Sequence, residues 1–148
     1  MTDRIEKSIE LNAPVSRVWR ALTDHREFGE WFCVKLEAPF EIGKVARGRV
    51  TYPGFEHVVW QATIKTIEPE RVFAFTWHPY AIKPDVDYED ETPTLVEFRL
   101  EPIATGGTLL QLTESGFDKI PGGRRAEAFR MNDGGWTEQM ENIRRHVA

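Results

Sequence analysis

Phe129, Asn132, Trp136, Met140, Ile143 and Val147 follow one another at spacings of 3, 4, 4, 3 and 4 residues. That spacing places them all on one face of a helix roughly 20 residues long. A helix with so large an apolar stripe must cover it with another layer. It starts near the breaker Pro121-Gly122-Gly123, and upstream of it, from Phe32 to residue 117, run short alternating stretches punctuated by proline and glycine. These read as antiparallel strands. The expected arrangement is a terminal helix lying against the concave side of a curved antiparallel sheet.

The remaining elements fit that plan. "RIEKSIEL" (Arg4 to Leu11) alternates and stops at Asn12, Ala13 and Pro14, a strand followed by a helix start. Val15, Val18, Trp19 and Leu22 make one apolar stripe, and a second short helix begins at Thr23 or Asp24 and ends around Trp31 and Phe32. "KVARGRVTY" (Lys44 to Tyr52) precedes the turn Pro53-Gly54. In "EHVVWQATIKTIEP" (Glu56 to Pro69), Val58, Trp60, Ala62 and Ile64 share a face; in "RVFAFTWHP", Phe73, Phe75 and Trp77 do. "TLVEFRLEPI" and "GTLLQLTESGF" complete a meander, separated by Thr105, Gly106 and Gly107. One connection is long, Tyr80 to Pro93, with five acidic residues. Such a loop is either a functional lid or a solvated excursion, and solvation is the simpler reading.

Length and charge exclude several classes. A chain of 148 residues fits one domain, residues 1–148, with a single substantial core. No apolar run approaches the roughly 20 residues needed to span a bilayer, and the amino terminus lacks a secretory signal, so the expected compartment is the cytoplasm. With 19 Lys plus Arg against 24 Asp plus Glu, the net charge is −5 and no basic block exists, so nucleic acid is not an expected partner. Cys33, the single cysteine, excludes an intramolecular disulfide and a thiolate zinc cage, and its apolar neighbours suggest a small buried thiol. His25, His57, His78 and His146 show no metal-ligating spacing, although His57 and His78 could flank a pocket mouth. No cofactor or metal is expected, and no Gly-x-Ser-x-Gly, phosphate-cradling loop or HExxH occurs.

Within the last helix, "NDGGWTEQM" holds two glycines where each costs ~1 kcal/mol relative to alanine. The packing explanation is that Gly134 and Gly135 let the backbone approach the first helical pair, or bend, so that the Trp136 indole meets Phe73, Phe75 and Trp77. The alternative is that a patch without side chains enlarges a cavity beside Asn132. Asn132 lies on the inward stripe, so its amide must meet a strand residue or a ligand. Tyr52 and Trp60, aromatic bodies with polar tips, suit a cavity wall. Glu97, Arg99, Gln111 and Glu114 could bring an acid, a base or an ion pair inward, but a paired, solvated outer face explains them more simply.

The order of strand, two short helices, antiparallel strands and long terminal helix, with "IELNAPVSRVWRALTD", "EFGEWF", "IEPERVFAFTW" and "GGWTEQMENIRRHV", resembles the SRPBCC (START-like, Bet v 1-like) superfamily. Within it the chain is similar to the family named after the activator of heat shock protein 90 ATPase, over nearly its whole length. The resemblance implies an α+β helix-grip fold with an elongated cavity between sheet and last helix, in which many members are thought to bind an apolar or amphipathic small molecule. Homodimers occur in the superfamily, so a homodimer is left open. The co-chaperone's further amino-terminal region has no room here, which demotes chaperone activation.

The leading expectation is therefore binding of a hydrophobic or amphipathic ligand by Trp31, Tyr52, Trp60, Phe75, Trp77, Phe129, Asn132 and Trp136. Two alternatives stand beside it: an enzyme of polyketide cyclase or dehydratase type, which needs an ionisable pair facing inward, and a stress-related interaction protein using the acidic loop. If the aromatic side chains merely fill the core, the interior should be closed and dry.

Overall fold

The computed structural model describes residues 4–83 and 85–148; Met1 to Asp3, and Pro84 of the long loop, lie outside the described residues. The elements run β1 (Arg4–Leu11), α1 (Val15–Thr23), α2 (His25–Phe32), β2 (Val34–Leu36), β3 (Val45–Val50), β4 (Val59–Glu68), β5 (Val72–Trp77), β6 (Thr94–Pro102), β7 (Thr108–Ser115) and α3 (Gly122–Val147). A short 3-10 turn at Phe117–Lys119 links β7 to α3.

The strands form one sheet in the order β1-β7-β6-β5-β4-β3-β2, antiparallel throughout. Strands β3 to β7 are the expected meander, and the short β2 adds an edge strand to it. The two short helices carry the chain from β1 at one edge to β2 at the other. Opposite Ile64 and Thr66 the β4–β5 register shifts, a bulge that bends the sheet where it must curve around α3. The inward faces follow the alternation in the sequence. Trp60, Ala62 and Ile64 of β4 and Phe73 and Phe75 of β5 are buried.

Local chemistry sets the helix ends. Asp24 caps α2, its carboxylate accepting from the backbone N–H of Arg26 at 2.9 Å and of Glu27 at 3.3 Å. Such a cap contributes ~1 kcal/mol. Cys33 ends α2 in the left-handed region at φ 67° and donates its N–H to Gly29 O. Gly29 is required by close packing, because a Cβ there would collide with the Val34 carbonyl. The last helix is longer than expected, 26 residues from Gly122. Pro121 stands as its cap, and both Arg124 and Arg125 donate backbone N–H groups to Pro121 O, so the apparent breaker is the first turn.

The core joins all layers. Phe28, Phe73, Phe75, Phe98 and Phe117 are fully buried, each contributing about 1.5–3 kcal/mol of transfer free energy. Helix α3 buries Ala128, Trp136, Met140, Ile143 and Val147 against the sheet and α1–α2. At its far end Glu27 bonds Arg17 (2.6 Å), Arg20 (2.7 Å) and His146 (2.9 Å), tying the three helices together.

Candidate functional site

Between the β3–β5 half of the sheet, the 78–89 loop and the middle of α3 lies a cavity of about 490 Å³. Its size is within the range of small-molecule sites. The walls are aromatic. Phe32 at the end of α2 lies 5.8 Å from Trp60 and 6.0 Å from Trp77, ring centre to ring centre, and the two indoles are 6.0 Å apart. Tyr52 and Phe55 between β3 and β4, and Tyr80 and Tyr88 in the loop, extend the lining. A side compartment of about 140 Å³ adjoins it, sharing Phe32, Tyr52 and Trp77 and adding Asn132, Gly135 and Trp136.

Two polar atoms on residues of this lining, both shielded from the open space, have no hydrogen-bond partner among the described residues. They are Nε1 of Trp60, a residue only 7% exposed, and Nδ1 of His78. Leaving such groups buried and unpaired costs about 1–3 kcal/mol each. By contrast the Trp31 indole donates to Ala21 O at 2.8 Å.

Behind the side compartment a buried carboxylate gathers donors. Glu114 of β7 is fully buried. Its Oε1 accepts from Trp136 Nε1 (2.8 Å) and Asn132 Nδ2 (2.9 Å), and its Oε2 from Trp77 Nε1 (2.7 Å) and Thr94 Oγ1 (2.5 Å). The indole and amide nitrogens can only donate, a set that matches a carboxylate whose two oxygens both accept. Strands β5, β6 and β7 and helix α3 thus meet on one side chain. Glu114 shares the inward parity of Leu110 and Leu112, so the outer-face reading holds for the Glu97–Arg99 pair (3.5 Å) and exposed Gln111 but not for Glu114. The alternation of β7 carried that signal, since Glu114 lies two residues beyond Leu112.

Of the residues singled out in the sequence, Tyr52, Trp60 and Trp77 line the large cavity, and Tyr52, Trp77, Asn132 and Trp136 the small one. Trp31 and Phe75 sit in the aromatic core, and half-buried Phe129 stacks edge-on against Phe117. None of these three lines either cavity. Asn132 meets a strand residue, Glu114. Trp136 meets Trp77 at 5.7 Å and Phe98 at 5.7 Å. His78 is at the cavity, whereas His57 is exposed and not in its lining. Cys33 is half-buried and lines the cavity rather than being the buried thiol its apolar neighbours suggested.

The glycine pair requires a correction. A Cβ on Gly134 or Gly135 would meet nothing within 4 Å, so neither glycine is there for close backbone approach. Helix α3 also runs through them without interruption. Gly135 lines the small compartment, where the absence of a side chain leaves room beside Asn132.

The long loop is a wall of the cavity as well as an acidic surface. Tyr80, Ile82, Val86 and Tyr88 line the large compartment. Arg124, in the first turns of α3, holds the loop: its Nε and Nη2 make a two-pronged pair with Glu91 (2.9 and 2.6 Å), and its Nη1 donates to Pro79 O (2.8 Å). The same guanidinium lies 4.7 Å from the Tyr88 ring centre. Among the described residues no group of three His, Cys, Asp or Glu could hold a metal ion, and no helix is long and apolar enough to cross a membrane.

Comparison with solved structures places the fold among many of the same kind. Protein MLL2253 from Mesorhizobium loti is 22% identical with a TM-score of 0.76, over 97% of this chain and 96% of that one. The Aha1 dimer from Colwellia psychrerythraea is 14% identical with a TM-score of 0.73, over 97% and 95%. DynU16, from the dynemicin biosynthetic locus, is 24% identical with a TM-score of 0.74; the match covers 99% of this chain, which spans 48% of that longer one. None of the curated proteins matches the sequence. Residues 12–148 match the family described as Activator of Hsp90 ATPase homolog 1-like protein. With the seven-stranded sheet gripping α3, the chain belongs to that family, within the helix-grip SRPBCC superfamily.

Proposed function

We propose that the protein binds an apolar or amphipathic small molecule in the cavity between sheet, loop and α3. The observation that carries this reading is a space of about 490 Å³ walled by aromatic rings, among them Phe32, Tyr52, Trp60, Trp77, Tyr80 and Tyr88. A molecule that filled the space would cover the rings. The Trp136 side of the site would act as a floor, with Glu114 positioning Trp77, Asn132 and Trp136.

Native mass spectrometry of the purified protein, alongside titration with the neutral fluorophore N-phenylnaphthylamine, tests it. The expected result is an adduct or saturable fluorophore binding. A bare native mass with no saturable fluorophore binding would overturn it.

An enzyme acting on an aromatic or polyketide-like substrate is the second reading, suggested by the likeness to DynU16. Of the lining groups with general-base chemistry, the carboxylates Asp87, Glu89 and Glu138 are exposed at the rim and His78 is half-buried. It lacks an ionisable inward partner, because the oxygens of Glu114 are engaged by Trp77, Thr94, Asn132 and Trp136. Binding without turnover is therefore the better supported of the two.

A further inference from the structure

Resting on the reading that this cavity holds a small molecule, we infer that its ligand is an amphipathic molecule with a protonated amine at the polar end, not a fatty acid or other carboxylate. The polarity of the lining points to it. The ionisable side chains lining the large compartment include the carboxylates Asp87, Glu89 and Glu138 and no Lys or Arg; the side compartment again has Glu138 and no Lys or Arg. All three carboxylates are exposed at the rim. An anionic head group would meet like charge there from the loop on one side and from α3 on the other.

The arginine that holds the loop does not reverse this balance. Arg124 is already paired through two prongs with Glu91 and is not in the lining. Its guanidinium 4.7 Å from the Tyr88 centroid shows that a ring of this wall accepts a cation. Tyr52, Tyr80 and Trp77 add further rings to the same lining.

The apolar walls set the other end of the ligand. Phe32, Tyr52, Phe55, Trp60 and Trp77 line the same cavity. The ligand class is thus an aromatic or aliphatic amine.

Three probes with one ring system separate the possibilities: naphthylmethylamine, naphthylmethanol and naphthoate, titrated by calorimetry at neutral pH and low salt. The expected order is amine tightest, alcohol next, carboxylate weakest. The expected span from amine to carboxylate is about tenfold, since each exposed rim charge contributes little alone. In the triple variant Asp87→Asn, Glu89→Gln, Glu138→Gln, the amine-to-carboxylate ratio should fall toward one. Because all three positions are exposed, folding is checked simply by an unchanged melting temperature. If the alcohol binds and the amine holds no advantage over it, or if the ratio survives the triple variant, the cationic assignment is overturned while the binding reading stands. If none of the three binds and N-phenylnaphthylamine fails as well, both fall.

Discussion

Trp136 Nε1 donates to Glu114 Oε1 at 2.8 Å, so the last helix is pinned to β7 by a hydrogen bond buried on both sides. Truncating Glu114 to alanine would also strand the donors of Trp77, Asn132 and Thr94. Glu114→Ala is expected to lose about 3 kcal/mol or more, and Glu114→Gln less, because the amide keeps one acceptor oxygen. Urea unfolding followed by tryptophan fluorescence measures both. An alanine variant as stable as the parent would refute the role given to this carboxylate.

Gly134 and Gly135 should be replaceable. With no atom within 4 Å of a built Cβ, Gly134→Ala is expected to stabilise the protein by about 1 kcal/mol through helix propensity alone. Gly135→Ala should gain similarly while narrowing the side compartment, and Gly135→Phe should obstruct it and weaken fluorophore binding. Thermal melts and the N-phenylnaphthylamine titration read the two effects separately. Destabilisation by either alanine would mean that the helix backbone packs closer than described.

Arg124→Ala removes the pair to Glu91, the bond to Pro79 O and the contact with Tyr88. The loop should then open more often. Amide hydrogen exchange of residues 85–91 is expected to rise about tenfold, equivalent to ~1.4 kcal/mol of local stability, with β6 and β7 unaffected. Equal exchange in both proteins would show that the loop is held by something other than this arginine.

Glu27 links α1, α2 and α3. Burial pushes its carboxyl up, but hydrogen bonds from His146 and Arg17 and the charges of Arg17 and Arg20 outweigh that and hold it below its ordinary value of 4.5. A depressed carboxyl contributes stability that is fully present above 4.5 and disappears as the pH falls through the lowered value. Glu27→Gln should cost about 1 kcal/mol at neutral pH, and the difference from the parent should shrink below pH ~4. Denaturant melts of both proteins across that range provide the comparison; a gap that widens on acidification would contradict the assignment.

Much of the architecture was legible because it rests on local periodicity. The two-residue alternation of Trp60, Ala62 and Ile64, the 3–4 spacing of Trp136, Met140, Ile143 and Val147, and the capping chemistry of Asp24 each act through neighbours in sequence. The length of α3 was less legible, since Gly122 and Gly123 break a helix interior but are tolerated in a first turn that Pro121 caps. For the site, Tyr52, Trp60, Trp77, Asn132 and Trp136 could be picked out as aromatic or polar residues on inward faces. Trp31, Phe75 and Phe129 obey the same face rule yet lie in the core, because parity gives a side and not a depth.

The sequence by itself determined the order and type of the elements, the inward faces of β4 and β5, and the need of the last helix for a sheet to cover it. Only the tertiary structure decided which inward residues border open space, that Arg124 meets Glu91 across 33 positions, and that donors from β5, β6 and α3 converge on Glu114. The reason is physical. Secondary structure follows from interactions a few residues apart, whereas a cavity and a buried polar cluster exist only where several distant segments fail to fill, or jointly satisfy, one volume.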